Sequence, residues 1–221
     1  MAETENLAPR RGLLLRIVLT AAVLAVWFWT QSLIGARTAP VSGIGDAIHD
    51  WTAGLNAYLA QHAAIANAFL IASSAIIDGL GLFLLGGWLF GGSVRPFLGL
   101  TLLMALRQVI QGLCALRPPP NMIWHYPGFP SLLVTYHVAN DFFFSAHTAI
   151  AVFGALELAR FRKSWLTVAA ALVALFEIAT VLILRAHYTM DVFTGIIAAL
   201  WIGQISERIS PRIDQFLAGG K

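Results

Sequence analysis

The sequence predicts an all-α fold: a polytopic membrane protein in which six transmembrane helices form one bundle, with both termini in the cytoplasm. Three observations support this prediction, namely the composition, six apolar segments and the placement of the basic residues. Of the 221 residues, 58% are hydrophobic and 11% are charged, whereas about 25% are charged in an average soluble domain. The mean hydropathy is +0.76, and the length suits a single membrane domain over residues 1–221.

Six segments are apolar over the roughly 20 residues that a helix needs to cross a bilayer. The first segment is too long for a signal-peptide core and lacks a convincing small-residue cleavage site, so we expect it to be retained. The predicted transmembrane helices are residues 13–34, 65–91, 97–116, 143–160, 165–184 and 189–206.

Basic residues mark one side of this layout. Arg37, Arg117 and Arg185 fall on the other side, and Arg107 falls inside the third predicted helix. Because cytoplasmic loops are enriched in lysine and arginine, the side with ten basic residues is predicted to be cytoplasmic. No basic cluster of the kind that binds nucleic acid is present. The ten residues are Arg10, Arg11, Arg16, Arg95, Arg160, Arg162, Lys163, Arg208, Arg212 and Lys221.

Polar residues gather at the opposite face, which is predicted to be non-cytoplasmic. Most of them occur in two stretches, NDFFFSAHT at residues 140–148 and RAHYTMDV at residues 185–192. Ionisable groups are costly in a bilayer, so a cluster of them predicts a functional site. The residues predicted to meet there are Asp141, His147, Arg185, His187, Asp191 and, at the end of the third helix, Arg117.

The two histidines and the carboxylate suit chemistry at phosphorus. His187 and Asp191 are four residues apart, so on a helix they share a face. A carboxylate bonded to one imidazole nitrogen makes the other nitrogen a better nucleophile or base. His147 begins a different helix. One histidine is therefore predicted to attack phosphorus and the other to protonate the departing oxygen.

A phosphate group also requires positive surroundings. The fourth and sixth predicted helices begin near the histidines, so their N-terminal amides can point at an anion. Arg117 and Arg185 can add charge-assisted hydrogen bonds. Arg107 lies deeper, where a lipid-facing arginine would be costly. We expect it to support the site, to line the substrate cavity, or to form a structural pair with Asp78 or Glu177.

The loop over residues 117–140 contains five prolines and several aromatic residues. Trp124 and Tyr126 are interpreted first as part of an interfacial aromatic belt. Alternatively, they line a pocket for a quaternary ammonium headgroup, which binds to aromatic faces. The other histidines are interpreted as interfacial residues; they are His49, His62, His125 and His137.

Zinc is an alternative use of His147, His187 and Asp191, because two histidines and a carboxylate form a known catalytic set. The sequence has no HExxH and no CxxC motif. We therefore expect no metal and no other cofactor. The single cysteine, Cys114, excludes a disulfide within the chain.

The two polar stretches resemble the catalytic motifs of the type-2 phosphatidic acid phosphatase superfamily. Within it they resemble the branch of sphingomyelin synthases and phosphatidylcholine:diacylglycerol cholinephosphotransferases, whose pattern is roughly D-x-x-x-S-G-H-T followed by H-Y-T-x-D-V. RQVIQGLCALRPPP, which begins at Arg107, is similar to the third helix of that branch. The motifs fall in residues 107–118, 140–148 and 185–192, and the resemblance covers roughly residues 97–206. The matching residues are Asp141, Ser145, His147, Thr148, His187, Tyr188, Thr189, Asp191 and Val192.

The chain departs from the superfamily pattern at a few positions. Ala146 replaces the glycine before the first histidine. Thr180 and Val181 stand where soluble-type phosphatases have a serine–arginine pair, and Ile110 stands where they have a lysine. These absences favour the transferase branch over a generic phosphatase.

The resemblance implies a transfer reaction without a metal. His187, activated by Asp191, would attack the phosphorus of a phospholipid and form a phosphohistidine, while His147 protonates the departing diacylglycerol. A second lipid alcohol, diacylglycerol or ceramide, would then take the headgroup, with phosphocholine favoured. Phosphate-binding roles are implied for Arg185, Arg117 and Ser145. Supporting or headgroup-binding roles are implied for Asp141, Arg107, Tyr188, Trp124 and Tyr126.

Two other functions stay open. A lipid phosphatase or phospholipase C-like hydrolase would use the same residues with water as the acceptor. A transporter or scaffold would tolerate replacement of His147, His187 and Asp191. The expected partners are bilayer lipids and not nucleic acid, and the oligomeric state stays open. The site would face the lumen of the endoplasmic reticulum or Golgi in a eukaryote, or the periplasm in a bacterium.

Overall fold

The computed structural model describes residues 7–36, 44–136 and 142–219. Over these ranges the chain forms eight helices and no strand. The helices are α1 (Leu7–Gly35), α2 (Ala47–Trp51), α3 (Ala53–Gln61), α4 (Ala63–Gly91), α5 (Arg95–Leu113), α6 (Ala146–Ala159), α7 (Ser164–Ile183) and α8 (Thr189–Leu217).

Five helices in the described part are long and apolar enough to cross a membrane: α1, α4, α5, α7 and α8. The prediction of a polytopic, all-helical membrane protein is confirmed at this level. The fourth predicted transmembrane helix, residues 143–160, is shorter than expected, because α6 has only 14 residues. The backbone of Ser145 is extended and its hydroxyl accepts a hydrogen bond from the Thr148 amide, which places the helix start there. At the other end, Arg162 adopts a positive φ of 55°.

Helices α2 and α3 were not predicted, and α8 is longer than predicted. The final turns of α8 have a contact that local hydropathy does not reveal. The Asp214 carboxylate accepts hydrogen bonds from the Ser93 hydroxyl at 2.9 Å and the Val94 amide at 2.6 Å. It thereby satisfies one amide at the start of α5, so the two helix ends stabilise each other.

Helix α6 lies at the centre of the bundle, where it packs against α4, α5, α7 and α8. Two glycines permit α5 and α8 to approach it closely. A Cβ atom at Gly99 of α5 would lie 2.0 Å from the ring of Phe153 on α6. A Cβ atom at Gly195 of α8 would lie 2.9 Å from the backbone oxygen of Ser145. Close contact between α6 and α8 brings the two polar stretches together.

The two ends of the bundle differ in their polar groups. The end where α5 and α7 finish and α6 and α8 begin carries both motif histidines. Among the described residues, the opposite end carries two ion pairs, Arg95 with Glu157 and Arg160 with Glu207. Glu157 is therefore a partner of the basic residues at that end and is remote from the histidines.

Candidate active site

His147 and His187 line one buried cavity together with Arg107. Trp27 from α1 and Trp124 from the α5–α6 loop also form its walls. The cavity measures about 40 Å³, enough for about two water molecules. The two histidines, which are forty residues apart in the chain, therefore face the same small volume beside a cationic side chain.

His187 is held in one tautomer by a backbone carbonyl. Its Nδ1 lies 2.7 Å from the carbonyl oxygen of Phe142. Because a carbonyl oxygen only accepts, Nδ1 carries the proton and Nε2 carries the lone pair. The Asp191 carboxylate lies farther from Nδ1, at 3.7 Å. Its Oδ2 accepts a hydrogen bond from the Tyr188 amide at 2.9 Å, so Asp191 acts on the imidazole by charge and by ordering the start of α8.

His147 differs from His187 in its hydrogen bonding. It follows the N-cap Ser145 in the first turn of α6 and is 7% exposed. Its Nε2 is buried and has no hydrogen-bond partner among the described residues. The ring of Trp124 stands at right angles to it, with centroids 5.0 Å apart. A buried polar nitrogen without a partner is costly, which suggests that Nε2 exchanges a proton with a ligand in the cavity.

Arg107 supplies the positive charge of the cavity and is 4% exposed. Its Nε donates to the Phe144 carbonyl oxygen at 2.8 Å. Its Nη1 lies 3.4 Å from Gln31 Oε1 and 3.3 Å from Gln111 Oε1. These polar neighbours hold the guanidinium at the cavity wall.

The acidic residues considered as structural partners of Arg107 have other contacts. Glu177 accepts a hydrogen bond from the Ser73 hydroxyl at 2.6 Å. Asp78 accepts hydrogen bonds from the Ser131 hydroxyl and from the amides of Leu132 and Leu133. Asp78 therefore anchors the α5–α6 loop, and Leu133 of that loop lines the cavity.

Arg185, predicted to bind phosphate, contacts backbone carbonyl groups. Its guanidinium donates to the oxygens of Pro120 at 3.0 Å and His49 at 2.9 Å. Its own φ is 56°, and the Ala186 amide bonds to the Val181 oxygen at 2.8 Å. This is a Schellman motif with arginine at the position that usually holds glycine. Arg185 thus shapes the turn that presents His187.

Changing Arg185 tests this bracing role. Arg185→Gly and Arg185→Ala both remove the guanidinium, but only alanine keeps the penalty of a positive φ, about 1 kcal/mol. We expect both variants to unfold at lower temperature than the native protein, and Arg185→Ala at the lower of the two. Tryptophan fluorescence during thermal unfolding in detergent measures this. An Arg185→Ala variant as stable as the native protein would show that the two hydrogen bonds contribute nothing, because alanine keeps the positive-φ penalty that arginine has.

The other residues given phosphate or headgroup roles also have defined positions. Ser145 is fully buried and caps α6. Tyr188 is 1% exposed, and its hydroxyl lies 3.5 Å from the Ile44 amide. Arg117 is exposed and does not line the cavity. Asp141 lies outside the described residues.

Asp46, which caps α2, and His49 within α2 hold the second motif by hydrogen bonds, and these contacts are called the α2 brace below. Neither role was predicted from the sequence. Asp46 accepts hydrogen bonds from the amide and the hydroxyl of Thr189 and from the amide of Ile48. Nε2 of His49 lies 2.9 Å from the backbone oxygen of His187, and His49 is buried. An aspartate just before an apolar helical run is a recognisable N-cap signal.

The hydrogen bond between Asp46 and Thr189 bears on the prediction about the helix N-termini. We predicted that the N-termini of both helices that follow the motifs face the phosphate. The first amide of α8, at Thr189, is bound to the Asp46 carboxylate. The start of α6, by contrast, lines the cavity with Ala146 and His147. Of the two helix N-termini, that of α6 therefore lies at the cavity.

The contribution of Asp46 to the stability of the α2 brace depends on pH. Burial alone would raise the pKa of Asp46. Hydrogen bonds from Thr189 and the charge of His49 more than offset this effect, so the pKa lies below its usual value of 3.8. A lowered pKa means that the contribution to stability is complete at neutral pH and is lost as the pH falls through the folded-state pKa. We expect Asp46→Asn to be less stable at neutral pH and to lose less stability on acidification. Thermal unfolding at neutral pH and below pH 3.8 checks this, and parallel curves for the two proteins would contradict it.

The α5–α6 loop places aromatic rings beside the cavity. Trp124 donates through Nε1 to the Thr135 oxygen at 3.1 Å. Its ring centroid lies 5.4 Å from that of Tyr136, which in turn lies 6.1 Å from Tyr126. Trp124 lines the cavity, while Tyr126 is half exposed. The three rings form a connected aromatic wall from the cavity to the surface.

The remaining histidines lie away from the cavity or outside the described part. His62 and His125 are exposed, and His125 contacts Asn67 at 2.8 Å. His137 lies outside the described residues. Over residues 7–36, 44–136 and 142–219, no group of three histidine, cysteine or acidic side chains is arranged to hold a metal ion.

Comparison with known proteins identifies a family. The AtPDCT1/2 family matches residues 46–208, from Asp46 through α2 to most of α8. No curated protein and no solved structure matches the chain. The match spans most of the chain and includes both motif histidines, Arg107 and the α2 brace. The chain therefore belongs to the AtPDCT1/2 family, which is phosphatidylcholine:diacylglycerol cholinephosphotransferase-like.

Proposed function

We propose that the protein is an integral-membrane cholinephosphotransferase that moves phosphocholine between phosphatidylcholine and diacylglycerol through a phosphohistidine at His187. Membership of the family supports the reaction and the lipid classes. The observation that carries the chemistry is the cavity itself. It combines a histidine whose Nε2 holds a lone pair, a second histidine whose buried Nε2 has no described partner, and an arginine.

In the first half-reaction, Nε2 of His187 attacks the phosphorus of phosphatidylcholine. The bond from phosphorus to the glycerol oxygen breaks as the bond from phosphorus to nitrogen forms. His147 donates its proton to the departing oxygen, and diacylglycerol leaves. The Phe142 carbonyl stabilises the protonated Nδ1 of the positively charged phosphohistidine.

In the second half-reaction, a new diacylglycerol takes the place of the first. Its hydroxyl gives a proton to the neutral His147, and its oxygen attacks phosphorus. The bond from phosphorus to His187 breaks, and phosphatidylcholine leaves with the new glycerol backbone. The cycle returns both histidines to their starting protonation states, so no other reactant is needed.

Positive charge around the phosphate stabilises the transition state. Arg107 and the N-terminus of α6 lie at the cavity wall, and such preorganised groups usually supply a large part of catalysis. We propose Arg107 as the main phosphate ligand. We propose that Arg185, Ser145 and Tyr188 hold the backbone around it, and that Arg117 acts from the exposed rim.

The aromatic wall is the proposed choline site. A quaternary ammonium group binds to aromatic faces, with about 0.5–2 kcal/mol per ring depending on desolvation. Trp124 reaches the cavity, and Tyr136 and Tyr126 continue outward from it. Because the cavity measures only about 40 Å³, binding of a phosphocholine headgroup requires the loop to move outward.

We propose that α6 completes a six-helix bundle of the type-2 phosphatidic acid phosphatase superfamily. At about 1.5 Å per residue, its 14 residues span about 21 Å, less than the roughly 30 Å of a bilayer core. Irregular backbone is tolerated at membrane depth where protein surrounds it, and α6 is surrounded by four helices. Both termini would then be cytoplasmic and the site would face the lumen or periplasm.

The test uses purified protein in liposomes with phosphatidylcholine, fluorescent diacylglycerol, fluorescent ceramide and EDTA. We expect fluorescent phosphatidylcholine from the native protein and none from His187→Ala. His62→Ala, which changes an exposed histidine away from the cavity, is the matched control and should be fully active. Release of diacylglycerol without labelled phospholipid would replace transfer with hydrolysis. Absence of turnover with any donor headgroup would overturn the proposed function.

A further inference from the structure

A second cavity lies on the flank of the bundle, between α1 and α5. It measures about 390 Å³, within the 300–1,000 Å³ of typical ligand sites. Most of its wall is apolar and includes Val23, Val26, Met104 and Ala105. Both helices are long and apolar enough to cross a membrane, so we place this α1–α5 groove beside the hydrocarbon of the bilayer.

Three polar side chains lie among the apolar side chains of this wall. Nε1 of Trp27, Oγ1 of Thr101 and Oε1 of Gln108 are buried and have no hydrogen-bond partner in the described residues. All three residues line the groove. A buried donor or acceptor without a partner costs about 1–3 kcal/mol. These atoms are covered in the empty groove, so a ligand reaches them only when their side chains turn towards it. Hydrocarbon chains alone cannot satisfy them, so the wall is suited to a lipid with polar groups of its own.

The chemistry of the three atoms indicates which groups fit. The indole N–H of Trp27 is only a donor, and the amide oxygen of Gln108 is only an acceptor, while the hydroxyl of Thr101 can do either. Ester carbonyl oxygens, which only accept, are complementary to the donors of Trp27 and Thr101, whereas Gln108 Oε1 requires a donor. The complementary ligand therefore carries carbonyl oxygens next to long apolar chains. The glycerol ester region of diacylglycerol has these groups.

The groove continues into the catalytic cavity. Trp27 lines both volumes. Gln108 donates through Nε2 to Gln31 Oε1 at 3.1 Å, and Gln31 also lines the catalytic cavity. Gln31 in turn contacts Arg107. The polar part of the groove therefore adjoins the site where phosphorus would be attacked.

We propose that the α1–α5 groove binds the diacylglycerol part of the substrate, with an acyl chain along the apolar wall and the ester carbonyl groups at Trp27 and Thr101. This inference rests on the proposed function and names where its lipid is held. Donor and acceptor share the same diacylglycerol part. One groove then serves both half-reactions, and the first diacylglycerol must leave before the second can bind.

The first test fills the groove. Ala105 lies in its wall and is exposed, and Ala171 is an equally exposed alanine on α7, away from the groove. We expect Ala105→Trp to lower transfer between long-chain lipids by about tenfold, the effect of about 1.4 kcal/mol. Transfer between dihexanoyl lipids should be unchanged, since their short chains do not extend along the groove. Ala171→Trp should behave as the native protein with both.

The second test addresses the ester groups. Dialkylglycerol has ether oxygens where diacylglycerol has carbonyls, so it is a weaker hydrogen-bond acceptor. We expect the native protein to prefer diacylglycerol, and Trp27→Phe to lose most of that preference while retaining transfer to the ether lipid. An unchanged preference in Trp27→Phe would remove the proposed hydrogen bond. Equal losses with long and short chains in Ala105→Trp would overturn the groove as the chain site.

A binding measurement separates this inference from the proposed function. A photoactivatable diacylglycerol in liposomes should label α1 and α5, and excess unlabelled diacylglycerol should prevent that labelling. Labelling without any phosphocholine transfer would support the groove and refute the proposed reaction. Labelling spread evenly over all lipid-exposed helices, or insensitive to competitor, would refute the groove whatever the activity.

Discussion

Replacing His187 with alanine is expected to abolish phosphocholine transfer, by on the order of 10⁴–10⁶-fold, the range seen when a member of a nucleophile–base unit is removed. No other described side chain in the cavity is a histidine with an accessible lone pair fixed by a neighbouring carbonyl. Without Nε2 of His187, phosphorus has no nucleophile and the reaction stops before the first bond breaks.

A covalent intermediate distinguishes this role from a structural one. Phosphatidylcholine labelled in its choline group should transfer label to the protein. The label should be stable to alkali and labile to acid, as expected of a phosphoramidate. It should be absent in His187→Ala and present in His62→Ala. Label on another residue, or activity of His187→Ala within tenfold of the native protein, would exclude His187 as the nucleophile.

Replacing His147 with alanine is expected to reduce transfer by about 10²–10⁴-fold, the usual contribution of general acid–base catalysis. The reduction has a specific cause. Diacylglycerol is a poor leaving group and needs a proton, and the acceptor hydroxyl must lose one. With His147 removed, both half-reactions slow while the nucleophile stays in place.

The leaving group provides the test. Nitrophenyl phosphocholine releases a nitrophenolate that needs no proton, so we expect His147→Ala to form the phosphohistidine from this donor at nearly the native rate. The intermediate should then accumulate, because the second half-reaction still lacks its base. His187→Ala should release no nitrophenolate. If His147→Ala is equally slow with both donors, His147 does not act as the acid.

Local sequence was sufficient to predict the membrane character of the fold and the two histidine motifs. Five of the predicted transmembrane helices exist because long apolar runs need no distant partner to become helical in a bilayer. His147 and His187 could be singled out because ionisable residues are rare in such runs. Their common cavity could be expected from topology alone, since alternate helix ends meet at one face of a bundle.

The roles of the arginines could not be decided in this way. In the sequence, Arg185 stands two residues before His187 and Arg107 stands forty residues before His147. The fold places the two side chains in the opposite order of distance from the cavity. The positive φ of Arg185 turns its side chain towards the carbonyls of Pro120 and His49, whereas Arg107 reaches the cavity from the adjacent helix α5.

The sequence by itself thus determined the class of the protein, its five long apolar helices and the residue types of its chemistry, because these depend on hydropathy and on local spacing. The tertiary structure decided which groups position His187, and these are the Phe142 carbonyl, Asp46 and His49. It also decided that α1 contributes Trp27 to both cavities. These contacts join residues more than forty positions apart, and such pairings are set by packing between helices, which no local pattern records.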